Sequence, residues 1–155
     1  MGYSFYMNGH LKFSKELPEN VKAIFREMNN ECELGRKWYR KNFQNRHICA
    51  EWCPWRYDES ENALVPVDNI SELSHNRYFI DWLAWIIEST CVPANSMVNG
   101  SCEWENADYD RDDCGSVVIS DGIIKVNGRF LEAGHDYYAA YRRSNKLVKQ
   151  MKEKT

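Results

Sequence analysis

The dipeptide Asp121–Gly122 restricts the fold more than any other feature of this 155-residue chain. It separates two runs rich in valine and isoleucine, residues 115–120 and residues 123–126. Asp-Gly between two such runs predicts a β-hairpin with a two-residue turn, because these residues accept the positive φ angles that the turn requires. A strand predicted over 97–104 extends the hairpin to a three-stranded antiparallel meander.

A fourth strand is predicted at the N-terminus. Apolar residues and one glycine occupy every second position from Tyr3 to Phe13, which is the period of a strand with one buried face. The phase continues across Gly9, so we expect one long strand with a bulge at this glycine. Shorter strands are predicted over 48–52 and over 64–67, with a polar loop over 57–62. The second of them contains Pro66 and is therefore expected at a sheet edge.

Three amphipathic segments predict helices. The first begins near Pro18 and ends near Asn29, the second spans 76–89 and is closed by Pro93, and the third spans 136–152. Strands and helices that do not alternate regularly imply an α+β fold. We expect an antiparallel β-sheet, made of the N-terminal strand and the three-stranded meander, covered by two to three helices. We interpret residues 1–155 as a single domain, and the sequence leaves open whether the helical segment 132–155 is appended to it.

The composition narrows the classes of function. A net charge of −3 does not by itself indicate a nucleic-acid-binding protein, and no apolar run reaches the length of a membrane-spanning helix. No signal peptide is visible, so the six cysteines are expected to be free thiols in a reducing cytoplasm. No metal or cofactor is expected. The closest cysteine pair, Cys49 and Cys53, has no second short pair to complete a zinc site, and the loop beginning at Asp108 lacks the glycine and glutamate of an EF-hand.

The sequence also resembles a known family in several segments. These are the tryptophan-rich segment 81–88, the run 98–104 that reads V-N-G-x-x-x-W, and the hairpin run 112–126, with further matches at 8–9 and 52–55. The pattern is similar to a family of small uncharacterised proteins encoded by bacteriophages and prophages. The resemblance implies a phage accessory protein that acts in the bacterial cytoplasm, and small proteins of that kind often bind and block a component of host defence. The chain departs from the family in its many cysteines and its basic C-terminal helix, and the family supplies no catalytic residues.

An acidic segment is the first candidate binding surface. Six carboxylates lie within eleven residues: Glu103, Glu105, Asp108, Asp110, Asp112 and Asp113. Such a surface can imitate a phosphate backbone and occupy a basic nucleic-acid channel on another protein. It predicts an inhibitor that binds a bacterial defence protein, such as a CRISPR effector. The simpler alternative is a solvated hairpin loop.

Mixed basic and aromatic residues form the second candidate. They are Arg36, Lys37, Trp38, Tyr39 and Arg40, together with Trp52, Trp55, Arg56 and Tyr57. Cationic side chains bind phosphate and aromatic rings stack on bases, so this pattern predicts a site that sequesters a nucleotide immune signal without catalysis. The simpler alternative is a surface helix whose aromatic rings face the core.

Two further hypotheses remain open. His47 and Cys49 would share one face of a strand and could form a catalytic pair, which makes a small Cys-His enzyme a third function. A C-terminal group of tyrosines and arginines, which are typical of interfaces, predicts contact between copies of the chain. Its members are Tyr137, Tyr138, Tyr141, Arg142 and Arg143.

Overall fold

The computed structural model describes residues 5–29, 55–66, 79–106, 114–128 and 139–154. These residues contain six strands: β1 (Phe5–Phe13), β2 (Trp55–Asp58), β3 (Ala63–Pro66), β4 (Val98–Asn106), β5 (Cys114–Ser120) and β6 (Ile123–Gly128). They also contain three helices: α1 (Glu19–Asn29), α2 (Phe79–Ile86) and α3 (Ala139–Glu153). Helix α2 continues as a π-helical turn (Ile87–Cys91) and a last α-helical turn (Val92–Ala94).

The six strands form one antiparallel sheet in the order β2-β3-β1-β4-β5-β6. This confirms the predicted α+β fold, with the N-terminal strand beside the C-terminal meander. The long N-terminal strand is also confirmed, but the predicted bulge is wrong, because β1 and β4 pair residue for residue along their whole length. Gly9 and Gly100 instead have φ angles of 140° and 145°, which only glycine adopts readily, and the strands approach closely there.

The short strands differ from the prediction. Residues 55–58 form β2, although Tyr57 and Asp58 were expected in a loop. Strand β3 lies between β2 and β1, so its predicted place at the sheet edge is wrong. Pro66 is tolerated because it is the last residue of β3, whereas the pairing of β3 with β1 is at Ala63 and Leu64. The predicted strand over 48–52 lies outside the described residues.

The hairpin predicted at Asp121–Gly122 is confirmed. Ser120 pairs with Ile123, and the two turn residues have φ angles of 50° and 82°. Positive φ at both positions is the geometry of a type I′ turn, whose twist matches that of the flanking strands.

One face of the sheet is covered and contains the hydrophobic core. Its buried strand residues are Leu11, Phe13, Trp55, Tyr57, Leu64, Val98, Cys102, Trp104, Val117, Ile119 and Ile124. Helix α1 adds Val21 and Phe25, and α2 adds Trp82 and Leu83. The Phe25 and Tyr57 rings stack with their centroids 4.9 Å apart. Removal of this apolar surface from water is the main force that fixes the helices on the sheet.

Pro93 does not close the second helix but lies inside its last turn, Val92–Ala94. The Val92 N–H donates to the carbonyl of Ile87, five residues earlier, and the helix is wider there. Proline lacks an N–H and crowds the preceding turn, and a π-helical turn accommodates both defects. The helix ends at Asn95, whose φ of 51° is left-handed.

Helix α3 packs against α2 and β6. Its Ser144 and Val148 side chains are fully buried. The Asn145 side chain accepts a hydrogen bond from the Ile124 N–H (2.7 Å) and donates one to the Ile124 carbonyl (2.9 Å). Strand β6 is at one end of the sheet order, so these bonds satisfy main-chain groups that a terminal strand otherwise exposes. The described part of segment 132–155 therefore shares the core with the sheet.

Candidate functional site: the open face of the sheet

The face of the sheet opposite the core is exposed over β1, β4, β5 and β6. Side chains on a strand point alternately to the two faces, and burial follows that alternation closely in β4 and β5. We call the exposed side the open face. Its members are Asn8, His10, Lys12, Asn99, Ser101, Glu103, Ser116, Val118, Ser120, Lys125 and Asn127.

Pairing of the strands arranges these residues in rows across the sheet. One row joins His10, Ser101, Val118 and Lys125, and a parallel row joins Asn8, Glu103, Ser116 and Asn127. Residues that are directly opposite each other on neighbouring strands have their Cβ atoms about 5 Å apart. The rows therefore form a continuous surface across four strands.

Short polar side chains dominate the open face, which is unusual for strand residues. Three asparagines (Asn8, Asn99, Asn127) and three serines (Ser101, Ser116, Ser120) occupy positions where β-branched or aromatic residues favour the strand. Asparagine in particular is depleted in strands, so strand formation does not explain these choices. Short amide and hydroxyl groups leave the surface flat and able both to donate and to accept hydrogen bonds.

Val118 is the apolar residue at the centre of the open face. Its exposed fraction is 44%, and it lies between Ser101 and Lys125 on the neighbouring strands. Single exposed apolar residues are common on protein surfaces, so Val118 gains significance only from the flat polar surface around it.

The open face leads directly to the predicted acidic segment. Glu103 is exposed and lies between Asn8 and Ser116. Two pairs further along, the main chain of Glu105 pairs with that of Cys114, so β4 and β5 stay joined up to that point. The other four predicted carboxylates, Asp108, Asp110, Asp112 and Asp113, lie outside the described residues.

The predicted nucleotide site is only partly described, and two of its residues are buried. Arg36, Lys37, Trp38, Tyr39, Arg40 and Trp52 lie outside the described residues. Trp55 and Tyr57 are 1% and 6% exposed, and the Tyr57 hydroxyl donates to Asn62 Oδ1 at 2.7 Å. Burial in the core raises the pKa of Tyr57. These two rings lie in the core and are not accessible for stacking on a base, and among the described residues of this later group only Arg56 is exposed.

Cys91 and Cys102 are poor candidates for catalysis. Cys91 and Cys102 are free and buried, and burial raises the pKa of each thiol to about 12. The thiolate is the nucleophilic form of cysteine, so these two thiols are poor nucleophiles. The predicted pair His47 and Cys49 lies outside the described residues. Within the residues that are described, no three His, Cys, Asp or Glu side chains are grouped as metal ligands.

The predicted C-terminal interface is divided between two environments. Tyr141 is half-buried against the core, whereas Arg142 and Arg143 are exposed, and Arg143 Nε lies 3.4 Å from Glu88 Oε1. Tyr137 and Tyr138 are outside the described residues.

Sequence reasoning missed the open face, although the signal was available. The alternation that marks one set of residues in β1, β4 and β5 as buried also defines the opposite set. Reading that second set would have revealed its unusual content of asparagine and serine.

Comparisons of the chain with protein-family models, curated proteins and solved structures gave no match. In the described part of the chain, no helix has the length and apolar character needed to cross a membrane.

Proposed function

We propose that the protein acts by binding another protein through the open face and the acidic end of the β4–β5 hairpin. We further propose that it is a phage-encoded inhibitor in the bacterial cytoplasm and that its target is an antiviral defence protein, such as a CRISPR effector. One observation carries the binding part of the proposal: the flat, short-chained polar surface around Val118 that runs without interruption to Glu103.

The open face suits binding because it is rigid before any partner arrives. Every strand that contributes to it, except β6 at the end, is paired on both sides within the sheet. A surface already held in its bound shape loses little conformational freedom on association. Its serine and asparagine side chains can form hydrogen bonds with a polar surface, and Val118 supplies an apolar contact at the centre.

Electrostatic attraction favours a basic surface on the partner. Glu103 belongs to the open face, and the strand that carries it leads into the segment with four aspartates. A concentration of carboxylates accelerates the encounter with a basic groove and weakens as salt is added. A groove that normally holds nucleic acid is a suitable target because it displays cations along its length.

The resemblance to phage-encoded proteins supports the choice of a bacterial defence protein as the target. Small phage-encoded proteins of that kind often bind and block a component of host defence.

Phage plating on bacteria that carry defined defence systems tests the proposal. We expect expression of the protein to restore plating on one system. Glu103→Lys should abolish that effect, because it reverses the charge at the junction of the open face and the acidic segment. Glu27→Lys makes the same charge change at an exposed site on α1 and should leave inhibition intact. Equal inhibition by both variants would contradict the proposed surface.

Thermal unfolding with a panel of linear and cyclic nucleotides separates this proposal from the nucleotide-binding alternative. A ligand present at a hundred times its dissociation constant stabilises the folded state by about 2.7 kcal/mol. We expect no such stabilisation. A saturable shift with one nucleotide would favour sequestration of a signal.

A further inference from the structure

The outer side of helix α3 carries a row of positive charges. Its exposed cations are Arg142, Arg143, Lys146 and Lys149, and Lys154 follows the last residue of the helix. We call these five residues the basic face. Glu153 is the one carboxylate in the described segment 139–154. We propose that the basic face binds the phosphate backbone of a nucleic acid. This inference goes beyond the proposed function and does not rest on it.

Packing of the opposite side fixes the orientation of the basic face. Tyr141, Ser144, Val148 and Met151 lie at a spacing of three to four residues and face the core. The two hydrogen bonds of Asn145 to Ile124 further fix the helix on β6. The cations on the outer side are therefore held on a rigid support.

The spacing of the cations produces a straight line of charge. Arg142, Lys146 and Lys149 follow each other at intervals of four and three residues, which places them on one side of the helix. With a rise of 1.5 Å per residue, the line from Arg142 to Lys149 is about 10 Å long. One DNA strand presents a phosphate about every 3.4 Å along the axis, so this length corresponds to about three phosphates.

The central cations are available for a ligand. Lys146 and Lys149 form no ion pair with any residue that the structure describes, whereas Arg143 pairs with Glu88, and Lys152 pairs with Asp121 at 2.9 Å. The whole chain has a net charge of −3, so this local excess of positive charge is not a consequence of overall composition. Segment 139–154 holds six of the 20 Lys and Arg residues of the chain and one of its 23 Asp and Glu residues.

A nucleic acid fits the basic face better than a membrane surface does. A helix that binds a bilayer inserts an apolar side among the lipids. In α3 the apolar side is already packed on the core, and the exposed apolar residue on its outer side is Leu147, 37% exposed. A regular line of cations without an apolar side instead matches a regular line of phosphates.

Fluorescence anisotropy of a labelled DNA duplex of about 20 base pairs, titrated between about 25 and 200 mM salt, tests the inference. Contacts of three cations with phosphates predict that log K falls against log salt with a slope of about −3. The double variant Lys146→Gln with Lys149→Gln should weaken binding and make the slope shallower by about 2. Lys146→Arg with Lys149→Arg should retain binding, because it keeps the charges.

A matched control removes the same charge elsewhere. Lys15→Gln with Arg26→Gln neutralises two exposed cations that lie outside both α3 and the open face, and it should leave the slope unchanged. Thermal unfolding of each variant verifies that the fold persists. Absence of binding at the lowest salt concentration would overturn the inference, as would equal losses in the α3 and control variants. Binding to phosphatidylcholine–phosphatidylglycerol vesicles without binding to the duplex would also overturn it.

Discussion

Val117 and Val118 are neighbours of the same residue type on opposite faces of the sheet. Val117 is fully buried in the core, whereas Val118 is 44% exposed on the open face. On the covered face, each residue is selected by the space and the apolar contacts around it. On the open face, packing places no such restriction, and six of the eleven residues are asparagine or serine.

The difference between the faces shows where function can be placed on this fold. A covered face tolerates little change because the same side chains stabilise the sheet and position the helices. The open face belongs to the same rigid strands. Its side chains take no part in packing the core and can therefore bind a partner. Substitutions that affect one face and not the other can therefore test each role separately.

The largest loss of stability is expected at Gly9, where the covered face has no room for a side chain. An added Cβ at Gly9 would lie 2.2 Å from the Ser101 carbonyl oxygen, and the φ of 140° is unfavourable for any other residue. We expect Gly9→Ala to destabilise the protein by about 3 kcal/mol or more through backbone strain and steric overlap. Urea unfolding measures this loss. A loss below about 1 kcal/mol would show that β1 and β4 can separate at low cost.

The valine pair provides the direct comparison of the two faces. Val117→Ala removes two buried carbon atoms and leaves a cavity, so we expect a loss of about 2–3 kcal/mol in the free energy of unfolding. Val118→Ala should change it by no more than about 0.5 kcal/mol. Similar losses for both valines, again from urea unfolding, would mean that the open face is covered in solution.

A smaller loss in the free energy of unfolding is expected at the end of the sheet, where α3 contacts β6. Asn145→Ala removes two hydrogen bonds to the main chain of Ile124 and leaves their partners exposed or unsatisfied. We expect a loss of about 1–3 kcal/mol. Hydrogen exchange should localise this change to the Ile124 amide. Unchanged protection there would contradict a role of α3 in closing the sheet.

The smallest change in stability is expected from the charged side chains on the exposed side of helix α1. The Arg26 guanidinium hydrogen-bonds to Glu19 and lowers the pKa of that carboxyl below its ordinary value of 4.5. A carboxyl with a lowered pKa in the folded state stabilises it above pH 4.5, and this contribution is lost as the pH falls through the folded-state pKa. The difference in Tm between the wild type and Glu19→Gln should therefore be slight near neutral pH and vanish in acid, once the Glu19 carboxyl is protonated in both the folded and the unfolded state. A difference in Tm that grows as the pH falls would contradict the lowered pKa of Glu19.

Local sequence signals predicted the elements whose geometry depends on few residues. Asp121–Gly122 fixes its turn through the φ angles of two residues, and the alternation from Phe5 to Phe13 fixes β1 through burial of one face. Helix α1 (Glu19–Asn29) lies where the apolar period of its sequence predicts a helix.

Features that depend on the rest of the molecule were not predictable in the same way. The π-helical turn before Pro93 is stabilised by its buried surroundings. They include a hydrogen bond that the Thr90 hydroxyl donates to the Ile86 carbonyl, with an oxygen–oxygen distance of 2.5 Å. Trp55 and Tyr57 are buried because β2 adds to β3 and α1 packs on it, which the basic and aromatic composition of that segment does not reveal. Of the candidate site, the sequence identified Glu103 but not the open face to which it belongs.

The most direct test of separate roles for the two faces is Val118→Lys, measured both for stability and for inhibition in the phage-plating assay. The account predicts a Tm close to that of the wild type together with loss of inhibition, because a long cation replaces the apolar centre of the binding surface. An unchanged Tm with undiminished inhibition would contradict the assignment of the open face as the site of partner binding.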